Sequence, residues 1–177
     1  MEILLGCGSS RVKKLSLPGR ENWSGLVTLD FVDTHKPDIV HDISVLPLPF
    51  EDNVADEMAA YEVMEHVGQQ GDWRFFFDQW SDIWRILKPG GVFFGTSPHH
   101  SSPWSWGDPG HTRIVGAEQL TFLSQPNYTA QVGITPMTDY RFIYKADFDL
   151  IHSAVNVAGQ YEYALRAVKP SRIENGR

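Results

Sequence analysis

The stretch Met1-Glu2-Ile3-Leu4-Leu5-Gly6-Cys7-Gly8-Ser9-Ser10 decides how the rest of the chain is read. A short apolar run ends in Gly-x-Gly and small polar residues. The run reads as a buried strand over 2–5, and the glycines as a tight loop whose backbone a ligand can approach closely. Residues further along add weight to this reading. Asp30 closes the next apolar run, Leu26-Val27-Thr28-Leu29, and Asp42 ends the third, Asp38-Ile39-Val40-His41-Asp42.

Working outward, the polar segment 11–25 carries Pro18, Gly19 and Gly25 and leaves room for at most one helical turn near 10–15. Residues 46–53 must be loop, because Pro47 and Pro49 permit neither helix nor central strand. Residues 54–61 are ambiguous on propensity, but their place between two loops makes them the fourth strand. The clearest helix spans 72–88. There Trp73, Phe76, Phe77, Trp80, Ile83, Trp84 and Leu87 recur at three- and four-residue spacing, a core-facing stripe. Asp72 is its expected N-cap, Lys88 suits its last turn, and Pro89-Gly90-Gly91 stops it. A fifth strand follows over 92–96. A long loop, 97–115, carries His99, His100, Trp104, Trp106 and His111, and a short helix over 117–124 ends before Pro126. Residues 140–147 stay ambiguous. Runs 148–157 and 160–168, joined near Gly159, read as a hairpin. Strand–helix units followed by a hairpin predict an α/β domain over 1–170. Its sheet is mostly parallel, sits in three layers and takes an antiparallel strand last. The tail from about 171 to 177 is expected to fray.

The bulk numbers narrow the class. A length of 177 residues suits one domain, and 42% hydrophobic with 21% charged residues is ordinary for a soluble protein. No apolar stretch approaches the roughly 20 residues that span a bilayer. The single cysteine, Cys7, forms no internal disulfide, and no signal peptide is visible, so the expected setting is the cytoplasm. A net charge of −7 argues against binding nucleic-acid phosphates over the whole surface. The basic groups Arg11, Lys13, Lys14, Arg20 and Arg166, Lys169, Arg172, Arg177 read as solvated surface.

Ligands of open α/β sheets bind at the carboxyl ends of the strands, near the switch point of strand order. Gly6 and Gly8 follow strand one. Asp30 ends strand two, where an acid accepts hydrogen bonds from both ribose hydroxyls. Asp42 ends strand three and suits an exocyclic adenine amine, with the Ile43 N–H meeting a ring nitrogen. Tyr61 and Glu62 end strand four.

Taken in order, Leu5-Gly6-Cys7-Gly8, Asp30, His41-Asp42-Ile43, Leu48-Pro49-Phe50-Glu51-Asp52, Glu62-Val63-Met64-Glu65-His66-Val67 and Leu87-Lys88-Pro89-Gly90-Gly91 resemble the class I S-adenosylmethionine-dependent methyltransferases. The resemblance covers residues 3 to about 125. It implies a Rossmann-like, seven-stranded sheet whose last strand is antiparallel, with S-adenosylmethionine across the ends of strands one to four. Gly6, Cys7 and Gly8 would flank the methionine moiety, Asp30 the ribose, Asp42 and Ile43 the adenine, and Tyr61 would border the cofactor. Because the sulfonium activates the methyl group, the protein mainly positions a nucleophile in a dry pocket. An oxygen nucleophile also wants a general base, for which His66 and His111 are the candidates, with His99 and His100 behind them. The acceptor this suggests is a small molecule or a sugar-like hydroxyl, with Trp104 and Trp106 available for stacking.

Glu62, Glu65 and His66 would share a face of a helix starting near 62, with His111 arriving from the loop. Two carboxylates and two imidazoles can hold Mg²⁺ or Mn²⁺. This set is similar to that of the small-RNA 3′-terminal 2′-O-methyltransferases, and its first three members resemble the ubiquinone-pathway O-methyltransferases. The expectation adopted is nonetheless a site without metal and without nucleic acid. The chain also departs from the family. Ser10 stands for the third glycine, and Leu4 stands where an acid often holds the methionine amine. The family's N-terminal helix is missing, and the helix between strands one and two is reduced. These departures suggest an open pocket finished by the 97–115 loop, a second copy or a partner protein, and they keep alive a non-catalytic binding module. A dinucleotide oxidoreductase shares Gly-x-Gly and a later acid but ranks low, since Lys88-Pro89-Gly90-Gly91 does not belong to it.

Overall fold

A computed structural model describes residues 1–173. Seven strands form one sheet in the order β3-β2-β1-β4-β5-β7-β6. They are β1 (Glu2–Leu5), β2 (Leu26–Asp30), β3 (Ile39–Val40), β4 (Ala55–Tyr61), β5 (Leu87–Pro98), β6 (Phe148–Val155) and β7 (Gln160–Ala167). Neighbours from β3 to β5 pair in parallel, and β7 runs antiparallel to both β5 and β6. This is the mostly parallel, seven-stranded arrangement with an antiparallel last strand that the sequence led us to expect. The order reverses at β1, which lies between β2 and β4, so the switch point falls beside the Gly6–Gly8 loop.

Helices cover one face. The helix α1 (Trp73–Ile86) is capped by Asp72, whose side chain accepts from the Phe75 N–H. It buries Phe77, Trp80, Ile83 and Ile86 against Ile3, Leu5, Met58 and Phe93 of the sheet. A short helix α2 (Trp104–Gly107) stands in the long loop, and α3 (Ala117–Leu120), a 3-10 turn and α4 (Gln125–Gln131) complete the face. Helix α1 ends two residues sooner than its apolar spacing suggests, because Leu87 already pairs with Ala55. Lys88 therefore lies outside the helix and reaches both Asp56 oxygens at 2.9 Å. Residues 88–91, with Gly90 at φ 77°, bulge out before pairing resumes at Glu57–Val92. Pro126 does not end the helical region; it opens α4, where a missing N–H costs nothing. Residues 140–147 form no helix or strand, yet Tyr144 and Asp147 are fully buried.

The third layer is built without a helix. Segment 11–25 runs as coil across the other face and lays Leu15, Leu17 and Trp23 over Leu4, Ala59, Val92, Phe94 and Ala164. Lys13 anchors it, and the sequence reading of Lys13 as solvated surface is corrected here. Its ammonium lies 3.0 Å from Glu2 and 2.6 Å from Glu57, with only 3% of its side chain exposed, and 4.7 Å over the Trp23 ring. Two carboxylates that face the same side of adjacent strands need such a cation to remain buried. Within the tail expected to fray, Arg172 binds Asp147 at 2.7 Å and Asp149 at 2.6 Å, while residues 174–177 and the basic group Arg177 lie outside the described residues.

Candidate functional site

A cleft of about 560 Å³ opens at the carboxyl ends of β1, β2 and β4. Its walls include Gly6, Gly8, Asp30, Asp42, Ile43 and His66, which brings six of the nine anticipated site residues into one place. Gly6 and Gly8 turn the chain at φ 57° and 51°, a region that side chains disfavour. A Cβ on Gly6 would lie 2.6 Å from Val63, whereas one on Gly8 would enter open space.

Asp30, only 5% exposed, organises the loop. Its Oδ2 accepts from the Gly8 N–H and its Oδ1 from the Val32 N–H, each at 2.8 Å, and the His35 ring lies 3.3 Å away. Burial acts to raise its pKa, but these donors outweigh burial and hold the carboxyl below its usual range. Asp42 is exposed at the rim. Its Oδ1 accepts from the Ser44 N–H at 2.8 Å, which lowers its pKa and fixes the turn that presents Ile43. Asp38 secures this end of the sheet by accepting from the Thr28 N–H and hydroxyl.

The structure sets Tyr61 and Cys7 apart from the cleft. Alternation along β4 turns Tyr61 to the face of Glu57 and Ala59, where its hydroxyl meets the Leu15 backbone at 3.3 Å. The Cys7 side chain packs on that face too, so only the backbone of the loop remains for a ligand there.

The expected helix at residue 62 is not formed. Glu62 sits at φ 57°, and a single 3-10 turn, Met64–His66, follows. The turn divides the acids. Glu62 lines the cleft with a buried Oε1 that has no hydrogen-bond partner among the described residues. Glu65 turns inward, 2% exposed, and accepts from Ser97 Oγ at 3.0 Å. Burial, aided by the nearby Glu62 charge, pushes the Glu65 pKa up to about 7. His66 binds Gly110 O through Nδ1 at 3.1 Å, and the His111 ring meets it edge-on at 4.5 Å. His111 is nearly buried, with Nδ1 unpartnered. Ligand atoms of Glu65, His66 and His111 come within 4.8 Å of one another.

No family model matches the sequence, and no curated protein matches it. Many solved structures match its fold. A putative methyltransferase of Haloferax volcanii, in complex with the Trm112 methyltransferase activator, aligns over 94% of this chain and 82% of its own, with 17% identity and a TM-score of 0.52. An S-adenosylmethionine-dependent methyltransferase from Archaeoglobus fulgidus aligns over 95% and 85%, with 16% identity and a TM-score of 0.55. The N-methyltransferase NodS of Bradyrhizobium japonicum, holding S-adenosyl-L-homocysteine, aligns over 94% and 76%, with 16% identity and a TM-score of 0.52. The chain has the class I methyltransferase fold.

The cofactor implied by the methyltransferase fold fits the residues present. The cleft volume suits a nucleoside-sized ligand. The space beside Gly8 would be filled by a Cβ, and Asp30 keeps lone pairs beyond those its backbone donors use. Cleft residues that the sequence reading passed over are Phe31, Val32, His35, His41, Ser44, Val63 and Val67. No periodicity marks them; their signal is nearness in sequence to Asp30, Asp42 and Glu62, with His41, Val63 and Val67 inside the quoted motif runs. The His99 and His100 rings lie 3.9 Å apart, tilted by 46°, and are not part of the cleft lining, and Trp104 and Trp106 are exposed on α2. No helix among the described residues is long and apolar enough to cross a membrane.

Proposed function

We propose that this chain binds S-adenosylmethionine in the cleft beside β1 and transfers its methyl group to an oxygen of a small-molecule or sugar-like acceptor. The observation that carries the reading is the joint placement of Gly6, Gly8, Asp30, Asp42 and Ile43 around one cleft, with His66 on its wall. Bound S-adenosylmethionine would supply a methyl group already activated for displacement. The chain's own work is binding and orientation. Asp30 would hold the ribose, and Asp42 with the Ile43 N–H the adenine. Glu62 would take the role of the acid missing at Leu4, since its unpartnered Oε1 offers an acceptor to the methionine ammonium. With Nδ1 donating to Gly110 O, His66 keeps Nε2 free to accept a proton from the acceptor hydroxyl. His111 would support His66 from behind. Asp30→Ala tests the cofactor site: calorimetric titration with S-adenosylhomocysteine should show binding that the variant loses while remaining folded. No binding at millimolar ligand by the folded wild type would end the proposal.

A second reading rests on the Glu65, His66 and His111 cluster, which offers one carboxylate and two imidazoles to a divalent cation. Under it the acceptor hydroxyl, including a ribose 2′-hydroxyl of RNA, would be activated by metal. Elemental analysis after dialysis against Mn²⁺ separates the two readings. Stoichiometric metal, lost in His111→Ala, favours the second. The complex formed by the Haloferax volcanii neighbour with its activator supports a partner protein finishing this open site; a second copy is the alternative. A binding module without turnover remains the competing use of the same cleft, and methylation of any acceptor, lost in Asp30→Ala, would exclude it.

A further inference from the structure

A second cavity, of about 270 Å³, lies on the other side of the turn that follows β4. Val67 of that turn faces the cofactor cleft, whereas Gln69 and Gln70 line the second cavity. Its walls are aromatic: Trp73, Phe76 and Phe77 from α1, Phe122 from the 3-10 turn after α3, and Tyr140. Aromatic faces of this kind take up a flat apolar body.

The floor supplies a charge. Arg113 is 4% exposed and lines the cavity. Its Nε donates to Met64 O at 2.8 Å and one terminal nitrogen to Gln79 Oε1 at 2.6 Å, both neutral acceptors. Among the described residues no carboxylate lies within 4.0 Å of this guanidinium, although Glu65, once ionised, attracts it from further away. Burial accordingly lowers its pKa to about 10. Buried cations are ordinarily paired, and a guanidinium fork matches a carboxylate in geometry as well as in charge. The two acids of the lining, Asp72 and Glu118, belong to exposed residues at the rim, and Asp72 already caps α1. The positive charge at the floor is thus left for a ligand.

We propose that this cavity is a binding site for a planar aromatic carboxylate of about two fused rings, its rings against Trp73, Phe76 and Phe122 and its carboxylate on Arg113. The site is separate from the cofactor cleft and does not depend on methyl transfer.

The probe is 2-naphthoate, compared with the uncharged 2-naphthalenemethanol, both titrated calorimetrically into the full chain with and without saturating S-adenosylhomocysteine. The acid should bind at one site at least tenfold more tightly than the alcohol, and S-adenosylhomocysteine should not displace it. Arg113→Gln should remove the preference for the acid. Because Arg113 also holds Met64, Glu118→Trp provides a variant that fills the mouth from an exposed position. It should weaken 2-naphthoate at least tenfold while the far-ultraviolet circular dichroism stays unchanged. Equal affinity for acid and alcohol, displacement by S-adenosylhomocysteine, or unaltered binding in a folded Glu118→Trp protein would overturn the proposal.

Discussion

Replacing Glu65 by glutamine removes a carboxyl that burial keeps protonated up to about pH 7. The side chain is 2% exposed, packs beneath His66 and His111, and its pKa is pushed up to about 7 from an ordinary value of 4.5. An acid whose pKa rises on folding binds its proton more tightly in the native state. The unfolded chain gives up that proton near pH 4.5 and the native protein only near 7, so stability falls across this window as pH rises. One pKa unit corresponds to about 1.4 kcal/mol, and integrating between pH 5 and pH 8 yields a loss of about 2.5 kcal/mol from this group. Glutamine does not titrate, and its amide can keep a hydrogen bond with Ser97. The stability of Glu65→Gln relative to wild type should therefore grow by about 2.5 kcal/mol from pH 5 to pH 8. Urea unfolding of both proteins at several pH values measures this difference directly. The comparison cancels the other titrating groups. A difference that stays constant with pH would refute the account of Glu65 as a desolvated acid that ionises only near pH 7. A divalent cation at the cluster would pull the carboxyl pKa down, so the same titration repeated with Mn²⁺ should flatten the difference only if the second reading holds.

Asp30→Ala leaves the Gly8 and Val32 N–H groups without their acceptor and should cost about 1–3 kcal/mol in chemical unfolding besides abolishing S-adenosylhomocysteine binding. Because the Asp30 pKa is lowered, its stabilising contribution should be complete above its ordinary value of 3.8 and disappear as pH falls through the native value, seen as acid sensitivity that the variant lacks. Gly6→Ala forces a Cβ into Val63 at a positive φ and should cost about 1–3 kcal/mol, with a matching loss of cofactor affinity by calorimetry. Lys13→Ala leaves Glu2 without its cation and Glu57 with only the exposed Arg20 at 3.4 Å, and should destabilise by about 3 kcal/mol in urea unfolding, more than any exposed lysine replaced the same way.

Much of the sheet was legible because its signals are local. The runs at 2–5 and 26–30, the aromatic stripe of α1 and the hairpin around Gly159 each carry a period and a stop that the fold preserves. Asp30 was legible for the same reason, since it closes the apolar run of β2. The region after β4 was not. Spacing of i, i+3, i+4 suggested a helix for Glu62, Glu65 and His66. The structure instead spends that stretch on a left-handed residue and one 3-10 turn, held by Arg113 and Thr112 bonding the Met64 and Glu65 carbonyls from far along the chain. Such long-range bonds leave no trace in local spacing. Tyr61 was misjudged for a different reason. Period two along β4 places it with Glu57 and Ala59, away from the cleft, so its position at a strand end was the wrong guide. Lys13 looked like solvated surface because its partners, Glu2 and Glu57, meet only once β1 and β4 are paired.

The most direct test of the central claim is a crystal of this chain soaked with S-adenosylhomocysteine. The account predicts the ligand in the cleft beside β1, with its ribose on Asp30, its adenine at Asp42 and Ile43, its amino group on Glu62 and its sulfur toward His66. A saturated soak with that cleft empty, or the ligand bound elsewhere on the chain, would contradict it.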